Sequence, residues 1–206
     1  MLYQHTYLVN IFPHQAFCGA PKLWQICYHK RMHILILGGQ SARNKAWAYA
    51  LQEALTPLSD DIAVHEYTHW SQENGHIDLD NELAAVEAKL AAHGDYIIVA
   101  KSIGGVLAAK GIGDGLLAPR KLAILGTPLA TIKRESIPYA DWLAGSSAPK
   151  LFIQNQADPL GSFADLEAYL TSSALAGYTA AETPGNTHSY LAFDQIRQRI
   201  ADLAGQ

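Results

Sequence analysis

Three side chains that lie far apart in the sequence are of the types that nucleophilic catalysis needs. Ser102 carries a hydroxyl, His188 an imidazole and Asp158 a carboxylate. A serine hydroxyl is a weak nucleophile at neutral pH, so it needs a base to take its proton and an acid to orient that base. Such a set can attack a carbonyl carbon and form a covalent acyl intermediate. His188 is the only histidine after His93, so the sequence offers no other base downstream of the serine.

The residues around the serine are typical of a tight strand-to-helix turn. The motif reads Ala100-Lys101-Ser102-Ile103-Gly104, directly after an apolar run. In a nucleophile elbow the serine takes a strained backbone conformation, and neighbouring elements approach so closely that only small side chains fit two residues away on either side. Ala100 and Gly104 meet that requirement, which favours Ser102 as the nucleophile. We expect Lys101 to face the surface, because adjacent residues at such a turn point in different directions.

The acid and the base follow later apolar runs. Asp158 lies in Asn155-Gln156-Ala157-Asp158-Pro159 and His188 in Gly185-Asn186-Thr187-His188-Ser189. An aspartate before a proline also suits a turn that satisfies backbone amides, and Asp141 and Asp165 are alternative acids. Asp165 is placed to begin a helix, where a carboxylate favours the helix dipole. We therefore favour Asp158.

The elements that position these residues alternate between β-type and α-type patterns from Met32 onward. Strands are predicted at 33–37, 62–67, 96–100, 121–125, 150–154 and 178–182, and helices at 44–55, 80–92, 106–110, 163–170 and 192–203. The alternation predicts an α/β fold with a mainly parallel sheet of about six strands and helices on both faces. In such sheets the chemistry lies at the carboxyl ends of the strands, so the three residues should converge on one edge.

With this motif and the chain order serine, acid, histidine, residues 32–206 resemble an α/β-hydrolase, specifically a small, nearly lidless serine hydrolase. The resemblance implies that His188 accepts the proton of Ser102, that Asp158 orients the imidazole, and that an acyl-enzyme forms and is hydrolysed. It also implies an oxyanion hole made by two backbone amides. These are the amide of Ile103 and, in the turn Gly38-Gly39-Gln40-Ser41, that of Gln40, with that of Gly39 as the alternative.

The resemblance implies hydrolysis of an ester or thioester, a carboxylesterase or thioesterase activity of class EC 3.1. A short lid segment predicts a shallow, open site, and with it a small acyl substrate in preference to a long-chain lipid. The segment 127–149, where the family inserts its lid, is short and should hold about one helix carrying Tyr139 and Trp142. We expect Gly39, Tyr139 and Trp142 to contact the substrate, with Trp70 as a facing wall or as cover for the core. Two other functions stay open: a non-catalytic binding module, or an acyltransferase that uses the same serine.

Composition excludes several classes of partner. The 206 residues carry 15 Lys and Arg against 19 Asp and Glu, a net charge of -4 with no basic block, so neither nucleic acid nor an anionic membrane is an expected partner. The longest apolar runs are far shorter than the roughly 20 residues of a membrane-spanning helix. Cys18 and Cys27 are too few for a disulfide framework. We expect a cytoplasmic protein.

No cofactor and no metal is predicted. Neither Gly38-Gly39 nor the spaced glycines at 111, 113 and 115 form a nucleotide-binding pattern. The histidines His65, His69 and His76 straddle a strand end and a polar loop rather than one helical face, so we expect solvated loop histidines and not metal ligands.

Residues 1–31 differ in composition from the rest of the chain. They hold none of the nineteen acidic residues and both of the cysteines. Polar residues interrupt their most hydrophobic part, which disfavours a signal peptide. We predict an unstructured N-terminal extension, with Met32 as the functional start and a hydrolase domain over 32–206.

Overall fold

The computed structural model describes residues 32–72 and 75–205; the predicted extension at 1–31 lies outside them. Six strands are β1 (His33–Leu37), β2 (Ile62–His65), β3 (Tyr96–Lys101), β4 (Lys121–Leu125), β5 (Lys150–Asn155) and β6 (Tyr178–Thr183). Seven α-helices among the described residues are α1 (Arg43–Leu55), α2 (Leu79–Leu90), α3 (Ile103–Gly113), α4 (Leu129–Arg134), α5 (Tyr139–Ala144), α6 (Phe163–Ser172) and α7 (Phe193–Gly205). A short 3-10 turn covers Thr68–Ser71.

The six strands form one parallel sheet in the order β2-β1-β3-β4-β5-β6. The chain runs from β1 outward to β2 and then returns past β1 to β3, so right-handed crossovers place α1 and α2 on opposite faces. The crossovers from β3 to β4, β5 and β6 all run in the same direction across the sheet as the crossover from β2 to β3. The last helix, α7, packs on α1. The predicted α/β class, with a parallel sheet covered on both faces, is confirmed.

The central strands are buried on both sides, which is why their sequences are continuous apolar runs without alternation. Every residue of β1, β3, β4 and β5 is buried. Their side chains join those of the covering helices in one hydrophobic core. This rigid sheet holds the turns at its carboxyl edge in fixed positions.

The segment between β4 and β5 differs from the prediction of about one helix. It contains two short helices, α4 and α5, separated by the positive-φ residue Ser136. Periodicity cannot resolve helices of six residues each, because each covers less than two turns. None of the helices in the described part of the chain has the length and apolar character needed to cross a membrane.

Candidate active site

Ser102 occupies a strained turn between β3 and α3. Its backbone angles are φ 55° and ψ -121°, a region that non-glycine residues rarely adopt. The Ser102 amide donates to the carbonyl of Leu125 at the end of β4, 2.9 Å away, which continues the sheet pairing into the turn. The side chain is half-buried. The local conformation is that of a nucleophile elbow.

The small residue two positions after the serine is required by close packing. A Cβ at Gly104 would lie 2.5 Å from the carbonyl oxygen of Leu37 and 2.6 Å from that of Gly38. The first turn of α3 therefore packs directly against the end of β1 and the turn that follows it. This contact brings the amide of Ile103, at the start of α3, beside that turn.

Asp158 and His188 form a hydrogen-bonded pair, 30 residues apart in sequence. The imidazole Nδ1 lies 2.8 Å from Oδ2 and 3.0 Å from Oδ1 of the carboxylate. The Asp158 side chain is fully buried, while that of His188 is 20% exposed. This pairing leaves Nε2 as the second nitrogen of the ring, free to act as a base. The rival acid Asp165 instead forms the capping box of α6 with Ser162.

Two further donors hold the carboxylate of Asp158. The Tyr190 hydroxyl donates to Oδ2 at 2.6 Å and the Leu160 amide to Oδ1 at 2.8 Å. Burial opposes ionisation, but the hydrogen bonds from His188, Tyr190 and the Leu160 amide outweigh it and lower the pKa of Asp158 below its ordinary value. The same surroundings raise the pKa of Tyr190, so its hydroxyl stays a donor.

The loop that carries His188 is tied to β5 and to α1. Asn155 donates through Nδ2 to the carbonyl of Thr187 at 2.7 Å, and the Asn155 amide donates to the Tyr190 hydroxyl at 3.0 Å. On the other side, the Trp47 indole of α1 donates to the Tyr190 carbonyl at 2.9 Å. Tyr190 itself has a positive φ of 54°. These contacts fix the loop from both sides, and no pattern in the sequence signals the roles of Tyr190 and Asn155 in them.

The imidazole of His188 lies at the end of β4, the neighbour of β3. A Cβ on Gly126, the residue after Leu125, would lie 2.9 Å from His188 Cε1. The buried Nε2 has no hydrogen-bond partner within the described ranges, and Ser102 Oγ makes no hydrogen bond to it there. The structure thus brings Asp158 and His188 together and places His188 beside the strand next to the serine.

The turn between β1 and α1 has its carbonyls held on one side. The Tyr67 hydroxyl donates to the Gly38 carbonyl and the Trp70 indole to the Gly39 carbonyl, each at 3.2 Å. Because C=O and N–H of a trans peptide point in opposite directions, the amides of Gly39 and Gln40 point away from these aromatic rings. Neither amide, nor that of Ile103, donates to an acceptor in the described part of the chain. Free, oriented amides of this kind are what an oxyanion hole requires.

Two predicted substrate contacts are not supported by the structure. Tyr139 is fully buried, with its hydroxyl near Gly105 of α3, so it is a core residue. Trp142 packs its ring against Gly113 of the same helix. Both residues lie on α5, which packs against α3. Their aromatic side chains fill the space beside Gly105 and Gly113. Trp70, only 9% exposed, braces the turn after β1 rather than forming an open wall.

Among the described residues, two open cavities flank the candidate site. The larger one, of about 950 Å³, lies between α4 and α6 and borders the Asp158 loop, but neither Ser102 nor His188 lines it. Apolar side chains of Leu129, Ile132 and Leu160 contribute to its wall. A second cavity of about 480 Å³ borders Gln40 and is lined by Ser41, Ala42, His69, Gln72 and Gly75. The cavity beside the candidate oxyanion turn therefore has about half the volume of the other, and its wall combines polar and apolar surface.

Several charged or titratable side chains are more buried than the sequence suggested. His65 and His69 are 3% and 5% exposed, so the expectation of solvated loop histidines is wrong for both. His65 pairs with Glu82 at 2.8 Å, and His69 Nε2 lies 2.6 Å from the Gln40 carbonyl. Lys101 is 4% exposed, so the expectation that it faces the surface is also wrong. These contacts are long-range and no local pattern signals them.

In the part of the chain that the structure describes, one group of possible metal ligands lies near the amino ends of the strands, away from the candidate site. His33, Asp61 and His93 each place a ligand atom within 4.8 Å of the others. His33 Nδ1 lies 2.9 Å from Asp61 Oδ1, and the two imidazoles stack with centroids 3.7 Å apart. Stacked rings do not direct two lone pairs at one point, since a metal binds in the plane of each ring. As arranged, this group is a hydrogen-bonded stack.

Solved structures with a similar fold include enzymes of several kinds. A putative YdeN-like hydrolase from Pectobacterium atrosepticum superposes with a TM-score of 0.65 at 17% identity, over 88% of this chain and 94% of that chain. Est1E from Butyrivibrio proteoclasticus, bound to ferulic acid, gives 0.63 at 14% identity over 84% and 88%. The type II thioesterase BorB of the borrelidin biosynthetic cluster gives 0.61 at 17% over 85% and 92%. No protein-family model and no curated protein matches the sequence. On its sheet order and these superpositions, the chain has the α/β-hydrolase fold.

Proposed function

We propose that the protein is a serine hydrolase that cleaves a small ester or thioester through Ser102, His188 and Asp158. The observation that carries the proposal is the conjunction of a serine in the elbow conformation with a buried aspartate bonded to Nδ1 of His188. A histidine whose Nδ1 proton is held by a carboxylate presents Nε2 as a base. The enzymes with similar folds named above support a hydrolase as the class of enzyme.

The proposed reaction begins when the Ser102 hydroxyl attacks the carbonyl carbon of the acyl substrate. His188 Nε2 takes the hydroxyl proton, and Asp158 stabilises the imidazolium that results. Amides of Ile103 and Gln40, or of Gly39, donate to the oxygen as it gains negative charge. The proton then passes from His188 to the leaving alcohol or thiol, and the acyl-enzyme remains. A water molecule, deprotonated by His188, releases the acid and restores the serine.

The cavities favour a short acyl substrate. The cavity beside the candidate oxyanion turn, of about 480 Å³, has about half the volume of the larger and more apolar cavity, and neither cavity is lined by Ser102 or His188. Neither of these two cavities therefore offers a long acyl chain an apolar tunnel that starts at the serine. We expect a panel of nitrophenyl esters to show the highest kcat/KM with acetyl to butyryl chains. Activity that rises steadily to long chains would contradict this substrate class.

Fluorophosphonate labelling tests the catalytic proposal. The wild-type protein should label on one serine, and Ser102→Ala should not label, whereas Ser162→Ala, which alters only the cap of α6, should label like the wild type. Labelling of Ser102→Ala at the wild-type rate would refute Ser102 as nucleophile. A binding module would label in none of these proteins. An acyltransferase would label and form ester or amide products only with an added alcohol or amine.

A further inference from the structure

A buried ammonium group lies beside the candidate nucleophile and has no part in the reaction as proposed. Lys101 immediately precedes Ser102, and its side chain extends from the end of β3 towards α1. The Nζ atom donates to Asn44 Oδ1 at 2.8 Å and lies 5.4 Å from the centre of the Trp47 ring. Asn44 Oδ1 is its one hydrogen-bond acceptor in the described chain.

Asn44 connects this ammonium to the candidate oxyanion turn. Its Nδ2 donates to the Ser41 carbonyl at 3.0 Å. The same amide group packs on Gly39 so tightly that a Cβ there would lie 2.8 Å from Nδ2 and 2.9 Å from Oδ1. The side chain of Asn44 therefore spans from Lys101 to the backbone of residues 39–41. Within the described ranges the ammonium is the one donor to Oδ1, so the ammonium and the Ser41 carbonyl together fix the orientation of the amide.

Trp47 connects the same ammonium to the acid and histidine loops. The indole of Trp47 lies beneath Lys101 and donates to the Tyr190 carbonyl, and the Tyr190 hydroxyl donates to Asp158. Lys101 thus contacts both Asn44, which holds the oxyanion turn, and Trp47, which holds the loop of Tyr190. Burying an ammonium group with one hydrogen bond costs stability, which indicates a role other than holding the core together.

We propose that Lys101 is a positioning residue, whose ammonium fixes Asn44 and through it the turn at residues 38–41 relative to the serine. The proposal rests on the proposed hydrolase function, for which that turn supplies an oxyanion donor. Removing the ammonium takes away one of the two hydrogen bonds that hold the Asn44 amide, so the turn that packs on this amide can move away from the reacting oxygen. The loss should therefore fall on kcat and leave KM close to the wild-type value, because the donor acts on charge that develops in the transition state.

A double-mutant cycle on nitrophenyl acetate hydrolysis tests this coupling. Lys101→Met and Asn44→Ala should each lower kcat by about tenfold, and the double variant should be no worse than either single variant, since both break one connection. Lys101→Arg retains a donor and should recover part of the loss. Lys121→Met is the matched control, since Lys121 is also a buried strand lysine but lies at the start of β4, bonded to the carbonyls of Leu203 and Ala204. It should keep the wild-type kcat.

The indole N–H signal of Trp70 in a 15N NMR spectrum gives a readout that does not depend on activity. Trp70 donates to the carbonyls of Gly39 and Gln40, so its signal reports where the turn lies. The signal should shift in Lys101→Met and stay in place in Lys121→Met. An unmoved signal in Lys101→Met, or additive losses of kcat in the cycle, overturns the proposal. If the wild-type protein has no esterase activity but the signal still shifts in Lys101→Met, the hydrolase proposal is refuted and the coupling between Lys101 and the turn is retained.

Discussion

The hydroxyl of Tyr190 donates to Oδ2 of Asp158, the same oxygen that lies 2.8 Å from Nδ1 of His188. One carboxylate oxygen thus serves both the base and a buried tyrosine. Tyr190 is 4% exposed and reaches Asp158 from a point two residues past the histidine. The tyrosine therefore fixes the rotation of the carboxylate that orients the imidazole.

Tyr190→Phe should reduce both activity and stability. The change removes one of the hydrogen bonds that lower the pKa of Asp158, and it leaves the buried Asn155 amide without its acceptor. We expect kcat/KM to fall about tenfold, and the free energy of unfolding to fall by about 1–3 kcal/mol, the cost of an unsatisfied buried group. Ester kinetics and urea denaturation measure the two effects. Tyr49→Phe, at a 43% exposed tyrosine, should change neither, and a Tyr190→Phe protein with wild-type kinetics would contradict the role.

Gly104→Ala should disrupt the elbow. Its methyl group would lie 2.5 Å from the Leu37 carbonyl oxygen, so either α3 or the end of β1 must move. We expect the free energy of unfolding to fall by about 1–3 kcal/mol, the usual cost of overpacking. Urea denaturation measures it. Gly94→Ala, where a Cβ meets nothing within 4 Å, is the control. Equal stability of the two variants would show that the packing at Gly104 is looser than described.

Trp70→Phe should lower kcat without a large change of KM. The change removes the indole N–H that donates to the carbonyls of Gly39 and Gln40, together with the outer ring atoms Cζ2 and Cη2 that lie against Gly38. Loss of a hydrogen bond that orients the turn should cost roughly 1 kcal/mol, or about fivefold in kcat. Steady-state kinetics with nitrophenyl acetate measures the effect. Trp142→Phe, whose indole makes no hydrogen bond in the described chain, should retain kcat; a similar loss in both variants would point to packing instead.

Lys101→Met should unfold at higher urea than the wild type at neutral pH. Burial lowers the pKa of Lys101 to about 8 from an ordinary value of 10.5. The unfolded chain therefore binds the proton more tightly, and the cost to the folded state is full below pH 8 and disappears above pH 10.5. The shift corresponds to an upper value of roughly 3 kcal/mol, reduced by the lost contacts with Asn44 and Trp47.

The pH dependence supplies the control for this stability prediction. The difference between wild type and Lys101→Met should shrink as pH rises from 8 to 10.5. Lys110 behaves in the opposite sense, because hydrogen bonds to Asp114 and Asp80 raise its pKa. Its contribution to stability is present below pH 10.5 and is lost as pH rises through its raised value. A stability difference for Lys101→Met that does not vary with pH would mean that the ammonium is not desolvated.

The strands could be predicted from the sequence because the strands of a parallel sheet that is covered on both faces are continuous apolar runs. The runs at His33–Leu37 and Lys121–Leu125 are wholly apolar or nearly so, and turn residues follow them. The elbow could also be predicted from the sequence. The backbone of β1 lies so close to α3 that only a small residue fits at position 104, and Gly104 is visible in the motif.

The direction of single side chains could not be predicted, because tertiary contacts decide it. Lys101 points into α1 and not into solvent, and Tyr139 fills space above the glycines of α3. Tyr190 resembles any other aromatic residue near a loop until its partner, distant in sequence, is known. The same holds for His65, whose burial depends on Glu82 of another element.

The contact between the Trp47 indole and the Tyr190 carbonyl joins residues 143 positions apart. During synthesis on the ribosome, the indole of α1 cannot reach this acceptor until residue 190 has emerged. All six strands precede that residue in the chain, so the sheet can form before this contact does. We therefore expect a nascent chain that stops short of residue 190 to lack the support that α1 gives to the loop of His188.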